Sequence, residues 1–134
     1  MFRFRLRTYI NGNWYTAYRR DAIRTLKKIG AYTRTSMRDL LKKRKGSSSP
    51  GSPPNVHSNK LKGAIRFAVD EMALSVVTGP MTAGSRVARI IDEGGPTRIS
   101  GGKHAGEAYT AKPRPYRVPA LAKTLPAIAR ILKD

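Results

Sequence analysis

The apolar positions of the chain change period several times, and each change marks an element. Residues 2 to 10, FRFRLRTYI, alternate strictly: Phe2, Phe4 and Leu6 fall on one side, Arg3, Arg5 and Arg7 on the other. A period of two predicts a strand with one buried and one cationic face. Asn11-Gly12 then signals a turn, and Asn13 is placed to cap a helix. From Trp14 to about Lys43 the period becomes helical. Tyr15, Tyr18, Ala22, Leu26, Ile29, Thr33, Met37, Leu40 and Leu41 recur at steps of three and four, which predicts an amphipathic helical segment, one long helix or two, with these residues on its apolar stripe. Gly30 interrupts the stripe and marks either a bend or a close packing point. Lys42, Lys43, Arg44 and Lys45 suit the helix C-terminus, where cations meet the negative end of the helix dipole.

Residues 46 to 59, GSSSPGSPPNVHSN, have no apolar period. Their Gly, Ser and Pro content predicts a long flexible loop outside the core. KGAIRFAVD then alternates again, with Ile65, Phe67 and Val69 opposite Ala64, Arg66 and Ala68. MALSVVTGP is β-branched and stops at Gly79-Pro80, so the two runs predict a hairpin turning at Asp70-Glu71. Residues 85 to 95 place Val87, Ile90 and Ile91 on one side of a short helix, and Gly94 is positioned to end it in a left-handed conformation. The glycine-rich stretch that follows is irregular, with one weak strand near Tyr109-Thr110. Pro119 then stands in the first turn of a terminal helix whose apolar residues Leu121, Leu125, Ile128 and Leu132 step by four, three and four.

The order strand, long helix, loop, hairpin, short helix, loop, helix predicts an α+β fold. A long basic N-terminal helix and a C-terminal helix pack on a small antiparallel sheet. At 134 residues the chain suits one domain, 1–134, with its flexible loop at 46–59. No run approaches the ~18 apolar residues of a membrane span, and the N-terminus lacks the continuous apolar stretch of a signal peptide.

Charge changes the picture most. Twenty-seven Lys and Arg oppose eight Asp and Glu, a net of +19. The first 45 residues carry fourteen of those cations against Asp21 and Asp39 only, a net of +12. Such asymmetry points to a polyanionic neighbour. The cations are Arg3, Arg5, Arg7, Arg19, Arg20, Arg24, Lys27, Lys28, Arg34, Arg38, Lys42, Lys43, Arg44 and Lys45, a basic surface for either DNA or an acidic partner. Binding to phosphates by such a surface ignores sequence and falls steeply with salt. Tyr9, Trp14, Tyr15, Tyr18 and Tyr32 are interleaved with these cations and could stack on bases. For Tyr15 and Tyr18 the apolar stripe favours the core instead.

Catalytic chemistry finds little support. Without cysteine there are no disulfides, thiolate metal sites or thiol nucleophiles. His57 and His104 are far apart. Asp70-Glu71 and Asp92-Glu93 are sequence neighbours, which point in different directions on a helix or strand, so they read as a turn and a helix end. Lys103 follows Gly102 as in a phosphate loop, but His104 stands where Ser or Thr belongs. No cofactor, metal site or catalytic residue is expected.

VARIIDEGGPTRI, a glycine-rich spacer and KPRPYRVPALAKTLPAI together resemble the C-terminal half of a phage family. These are the small neck proteins, head–tail connector and tail-completion proteins, of long-tailed double-stranded DNA phages. The family shows an Ala-Arg-x-x-Glu-x-Gly segment, a variable loop, and Pro-Phe-x-x-Pro-Ala-Leu leading into the last helix. Ala88, Arg89, Glu93 and Gly95 match the first with slightly altered spacing, and Pro115, Tyr116, Pro119, Ala120 and Leu121 match the second. Leu61-Lys62-Gly63-Ala64-Ile65 fits a further segment that precedes the hairpin in many members. Tyr116 departs from the usual Phe, Pro126 interrupts the terminal helix, and the basic N-terminal strand is not part of the family pattern. The resemblance implies a non-enzymatic virion protein, assembled in the host cytoplasm, forming a homo-oligomeric ring at the head–tail junction around the DNA channel. Its partners would be other neck, connector and tail proteins, with the basic face meeting either genomic DNA or an acidic ring. Glu93, Gly95, Pro115, Tyr116, Pro119, Leu121, Leu125 and Ile128 form the implied docking and packing motif. A stand-alone nucleic-acid-binding protein, ribosomal or chromatin-like, is the alternative that charge alone supports. A nucleic-acid-processing enzyme is a third, and it lacks clustered carboxylates.

Overall fold

The computed structural model describes residues 1–6, 15–56, 59–81, 85–99 and 102–134. Arg7, Tyr9, Asn13, Trp14 and His57 lie outside them. The chain is α+β: two helices pack on a small antiparallel sheet.

The alternating N-terminus forms β1, Phe2–Arg5, with Phe2 and Phe4 half-buried and Arg3 and Arg5 exposed. It pairs with β5, Ser75–Pro80, which also pairs with β4, Ile65–Asp70, in the order β1-β5-β4. Register puts Phe2, Thr78 and Phe67 in one row and Phe4, Val76 and Val69 in the next. These rows make one apolar face. Asp70 ends β4 and its Oδ1 accepts hydrogen bonds from the backbone N–H of Met72 and Ala73, at 3.0 and 2.9 Å. The hairpin therefore turns through Glu71–Leu74, so β5 begins later than the apolar run predicts.

Helix α1, Tyr15–Leu40, lies across this face as one uninterrupted helix. Ala22, Leu26, Ile29, Thr33 and Met37 are buried as the period predicts. Gly30 is the close packing point rather than a bend. A Cβ placed there would stand 2.5 Å from Phe67 Cδ2 and 2.8 Å from Val76 Cγ2. Tyr15 is a correction: it is 53% exposed, because it stands on the first turn, ahead of the buried stripe that begins at Ala22.

The basic run also differs from expectation. The helix stops at Leu40, and Lys42–Lys43 form β2, paired in parallel with β3, Asn55–Val56. The serine–proline segment between them closes back on the domain. Pro54 and Val56 are buried, and Val56 joins Met37, Leu41, Ile65, Tyr116 and Ala120 in one of the two core clusters. A stretch without apolar period thus supplies a core residue, because a single valine at a loop's end needs no period. Lys60–Ala64 form a short helix, α2, where the alternation reads as strand.

Helix α3, Ser85–Glu93, ends at Gly94, which takes φ 74°. Its N–H reaches Ile90 O at 2.8 Å, and an added Cβ would meet Ala111 O at 2.7 Å. Position 94 is thus closed to side chains on both counts. Ala88 is the buried apolar residue of α3 among those whose burial is described, while Val87 faces solvent against expectation. The described parts of the glycine-rich stretch hold two strands where one weak strand is expected. Gly95–Arg98 form β6, which pairs with β7, Ala108–Ala111.

Helix α4, Arg117–Lys133, packs beside α1. Tyr116 and Ala120 meet Met37 and Leu41, while Ile128 and Ile131 meet Leu26 and Ile29, so the two helices run antiparallel. Mid-contact, Thr33 and Thr124 are fully buried and each donates to the carbonyl four residues back, at 2.8 and 2.6 Å. Their hydroxyls are satisfied within their own helices, so small side chains can meet there without a polar penalty. The buried face of α4 is therefore Ala120, Thr124 and Ile128, and of the predicted stripe only Ile128 belongs to it. Leu121 is half-buried, and Leu125 and Leu132 are exposed.

Candidate functional site

Two features stand out: a cationic helix flank and an anchored segment at the entry to α4.

Along α1, Arg20, Arg24, Lys27 and Lys28 are exposed, with Arg34 and Arg38 half-buried further on. Steps of four and three put Arg20, Arg24, Lys27, Arg34 and Arg38 on one flank over about 27 Å at 1.5 Å per residue. Asp21 and Asp39 lie about 100° further round the helix than Arg20 and Arg38, and Asp21 Oδ1 reaches Arg24 Nη1 at 3.7 Å. Both partners of that pair are largely exposed, so it is worth little. The half-buried arginines are held in place. Arg34 lies over the Phe67 ring at 5.3 Å, and Arg38 Nη2 donates to Ile65 O at 2.8 Å. Arg19 Nη2 donates to Glu71 O at 3.2 Å and approaches Met72 Sδ at 3.7 Å. Arg34 and Arg38 thus tie the flank to β4, and Arg19 beside it ties α1 to the turn that follows.

The other predicted cations are dispersed. Arg3 and Arg5 stand exposed on the sheet face turned away from α1. Lys42, Lys43, Arg44 and Lys45 are exposed in and after β2. Among the described residues the structure therefore does not bring the predicted cations into one patch, and Arg7 falls outside those residues. The exposed Tyr32 shares the surface of α1, and Tyr18 is half-buried.

The second feature is built on Tyr116 and Asp92. Pro113 and Pro115 hold the approach to α4 in an extended form that needs no N–H partner at those residues. Tyr116 occupies the N-cap position and is 0% exposed. No side chain of α4 caps its own N-terminus; Asp92, from the last turn of α3, does so instead. Its Oδ1 accepts from Tyr116 N at 2.8 Å and Arg117 N at 3.1 Å, and its Oδ2 accepts from Arg117 Nε at 2.8 Å. Glu93 Oε1 accepts from Arg117 Nη2 at 2.6 Å. A carboxylate at a helix N-terminus is favoured by the free N–H groups and the dipole. Asp92 is only 7% exposed, so this charge must be paired, and Arg117 pairs it. Burial alone would lower the Arg117 pKa. The hydrogen bonds and charges of Asp92 and Glu93 outweigh it, and the pKa is raised.

Tyr116 is pinned at its backbone and buried at its tip. Its hydroxyl has no hydrogen-bond partner among the described residues. Burial first, then the Asp92 charge, pushes its pKa up to about 12, with Arg117 opposing. Around this anchor, Pro115 and Pro119 are half-buried, Gly95 begins β6 at φ 125°, and Ile128 is buried three turns along α4.

Sequence reasoning missed Asp92 and Arg117. The only available signal was that Asp92 falls one residue short of the helix end, three residues before Gly95. Nothing in one dimension shows that α4 begins beside it. Among the described residues no group of three or more His, Asp or Glu could hold a metal ion, and no helix is long and apolar enough to cross a membrane. His104 Nδ1 meets Glu107 Oε1 at 3.0 Å in an exposed turn. Comparison of the chain with family models, with curated proteins and with solved structures finds no match.

Proposed function

We propose that this chain is a structural subunit of a phage neck, a homo-oligomeric ring joining head to tail without catalysis. One observation carries the reading. The two separated segments that resemble neck proteins, Ala88 to Gly95 and Pro115 to Leu121, meet in space. Asp92 and Glu93 of the first hold Tyr116 and Arg117 of the second. The two family-like segments thus form one structural unit that sets the start of α4, joined through Asp92 and Arg117 together with the motif residues Glu93 and Tyr116. The geometry also gives the Pro-Tyr-x-x-Pro-Ala-Leu run a physical role, since Tyr116 plugs the core and Ala120 lets α4 lie close to α1. In this reading the cationic flank of α1 faces an acidic neighbouring ring or the packaged DNA end.

The test is genetic and structural. In a phage carrying this gene, its deletion is expected to leave filled heads and finished tails unjoined, with joining restored by the gene in trans. Normal virions from the deletion would overturn the proposal.

A second reading, a stand-alone nucleic-acid-binding protein, is favoured by the segregated flank of Arg20, Arg24, Lys27, Arg34 and Arg38. Duplex titrations across salt separate the two. Tight binding by the monomer, with a salt slope that falls by about 2.7 when Arg20, Arg24 and Lys27 become Ala, supports the second reading over the first.

A further inference from the structure

The outer face of α4 carries a pattern that the core does not use. Val118, Ala122, Leu125, Ala129 and Leu132 follow steps of four, three, four and three. At 100° per residue they fall within an arc of about 80°, and they extend about 21 Å along the helix. All five are exposed, Val118 by 64%, Leu125 by 52% and Leu132 by 51%. Three of the nine large apolar side chains exposed among the described residues thus sit on one ridge. Alternating alanine and larger aliphatic residues at this spacing is the form of a helix seam, which needs a partner.

A concave counterpart exists elsewhere on the chain. Between α3 and the β6–β7 hairpin lies a groove of about 520 Å³ lined by Val87, Ile90, Pro96, Thr97, Arg98 and Ala108. Val87 is 58% exposed at its rim. No residue of α4 lines it. Its one charged lining residue, Arg98, is already engaged, with Nη1 donating to Gly106 O at 3.0 Å.

We propose that the α4 ridge of one copy docks in the α3/β6–β7 groove of the next copy of this chain. This deepens the ring reading above and rests on it. Charge selects the occupant. At +19, two copies repel wherever cations face cations, as they would across the α1 flank. Of the side chains that line ridge and groove only Arg98 is charged, so copies meeting there oppose fewer like charges than they would across the α1 flank. An acidic protein or a nucleic acid would gain nothing on this ridge and much on α1. Because ridge and groove are different patches, the contact is head-to-tail. Such contacts propagate and close into a ring when the rotation permits. The groove has room for side chains of the ridge, such as Leu125, rather than for the helix itself.

The chain has no cysteine, so introduced pairs report cleanly. The double variant Val87→Cys/Leu125→Cys, oxidised in air with a copper catalyst, is expected to give a ladder of dimer, trimer and larger species. Each single variant should give dimer at most. Mass photometry of the unaltered chain runs in parallel. A ring without a ladder from the double variant overturns the proposed contact and leaves the ring reading standing. Efficient dimers from Leu125→Cys alone, with no ladder, overturn it in favour of a two-fold α4 contact. Neither ring nor ladder at any concentration overturns the ring reading itself. Leu125→Asp serves as the non-covalent check: it should keep the melting temperature and weaken self-association about tenfold or more. Unchanged assembly by this folded variant would also defeat the proposal.

Discussion

At the scale of single residues, two positions set sharp limits. Gly30 allows α1 to touch the sheet, with room for no further atom before Phe67 and Val76. In an exposed helix, Gly→Ala gains about 1 kcal/mol from propensity. Here the new methyl must displace a ring and a β-branched side chain, and overpacking typically costs about 1–3 kcal/mol, so strain wins. Gly30→Ala should therefore destabilise the fold by about 1–2 kcal/mol, read as a lower urea midpoint. Tyr116 makes the opposite case. Its buried hydroxyl lacks a partner among the described residues, so Tyr116→Phe should be neutral or stabilising by up to about 1 kcal/mol. The same hydroxyl carries a pH signature. Its pKa rises from 10.0 unfolded to about 12 folded, so the fold disfavours the ionised form. Its contribution is fully present below about pH 10 and is lost as pH rises towards about 12. Urea midpoints between about pH 9 and 12 should fall more steeply for the native chain than for Tyr116→Phe; parallel curves would remove Tyr116 as the cause.

Among elements, the decisive joint is α3 to α4 through Asp92. Asp92→Ala would strip the cap from two N–H groups and leave Arg117 half-buried without its closest buried counter-charge. A loss of about 2–4 kcal/mol is expected in denaturant unfolding. Asp92→Asn keeps an oxygen for those N–H groups and should lose less than the alanine variant. This joint shows why legibility in the sequence was uneven. Elements buried on one face through a regular period were readable: Phe2 and Phe4, the Ala22-to-Met37 stripe, and Ile65 to Val69. Period alone failed where two apolar faces compete on one helix. On α4 the leucines outweigh Ala120 and Thr124 in hydrophobicity, yet the small residues face α1 because helices approach closest over them. It failed again at Val56 and β6, where pairing partners distant in sequence impose order on glycine- and serine-rich chain. Asp92 and Arg117 were invisible for the same reason, since a cap supplied by another helix leaves no local motif.

The whole molecule carries its charge unevenly. At +19 the folded state is strained by self-repulsion, and the Asp92–Arg117 pair is the buried exception among exposed ion pairs in the described residues. Raising ionic strength from about 10 mM to about 0.5 M, which shortens the screening length from about 30 Å to a few ångströms, should raise the melting temperature. Calorimetry at the two salt levels checks this. A fall would mean that the Asp92–Arg117–Glu93 pairs outweigh the repulsion. A last feature concerns how force passes through the molecule. Gly51 N–H is bound to Pro113 O at 2.9 Å, and Arg114 Nε to Ser48 O at 3.0 Å, so the serine–proline segment is laced to the approach to Tyr116. A pull on that segment reaches the root of the last helix directly, bypassing the sheet. Whatever grips residues 48 to 51 therefore holds a lever on how firmly α4 is seated.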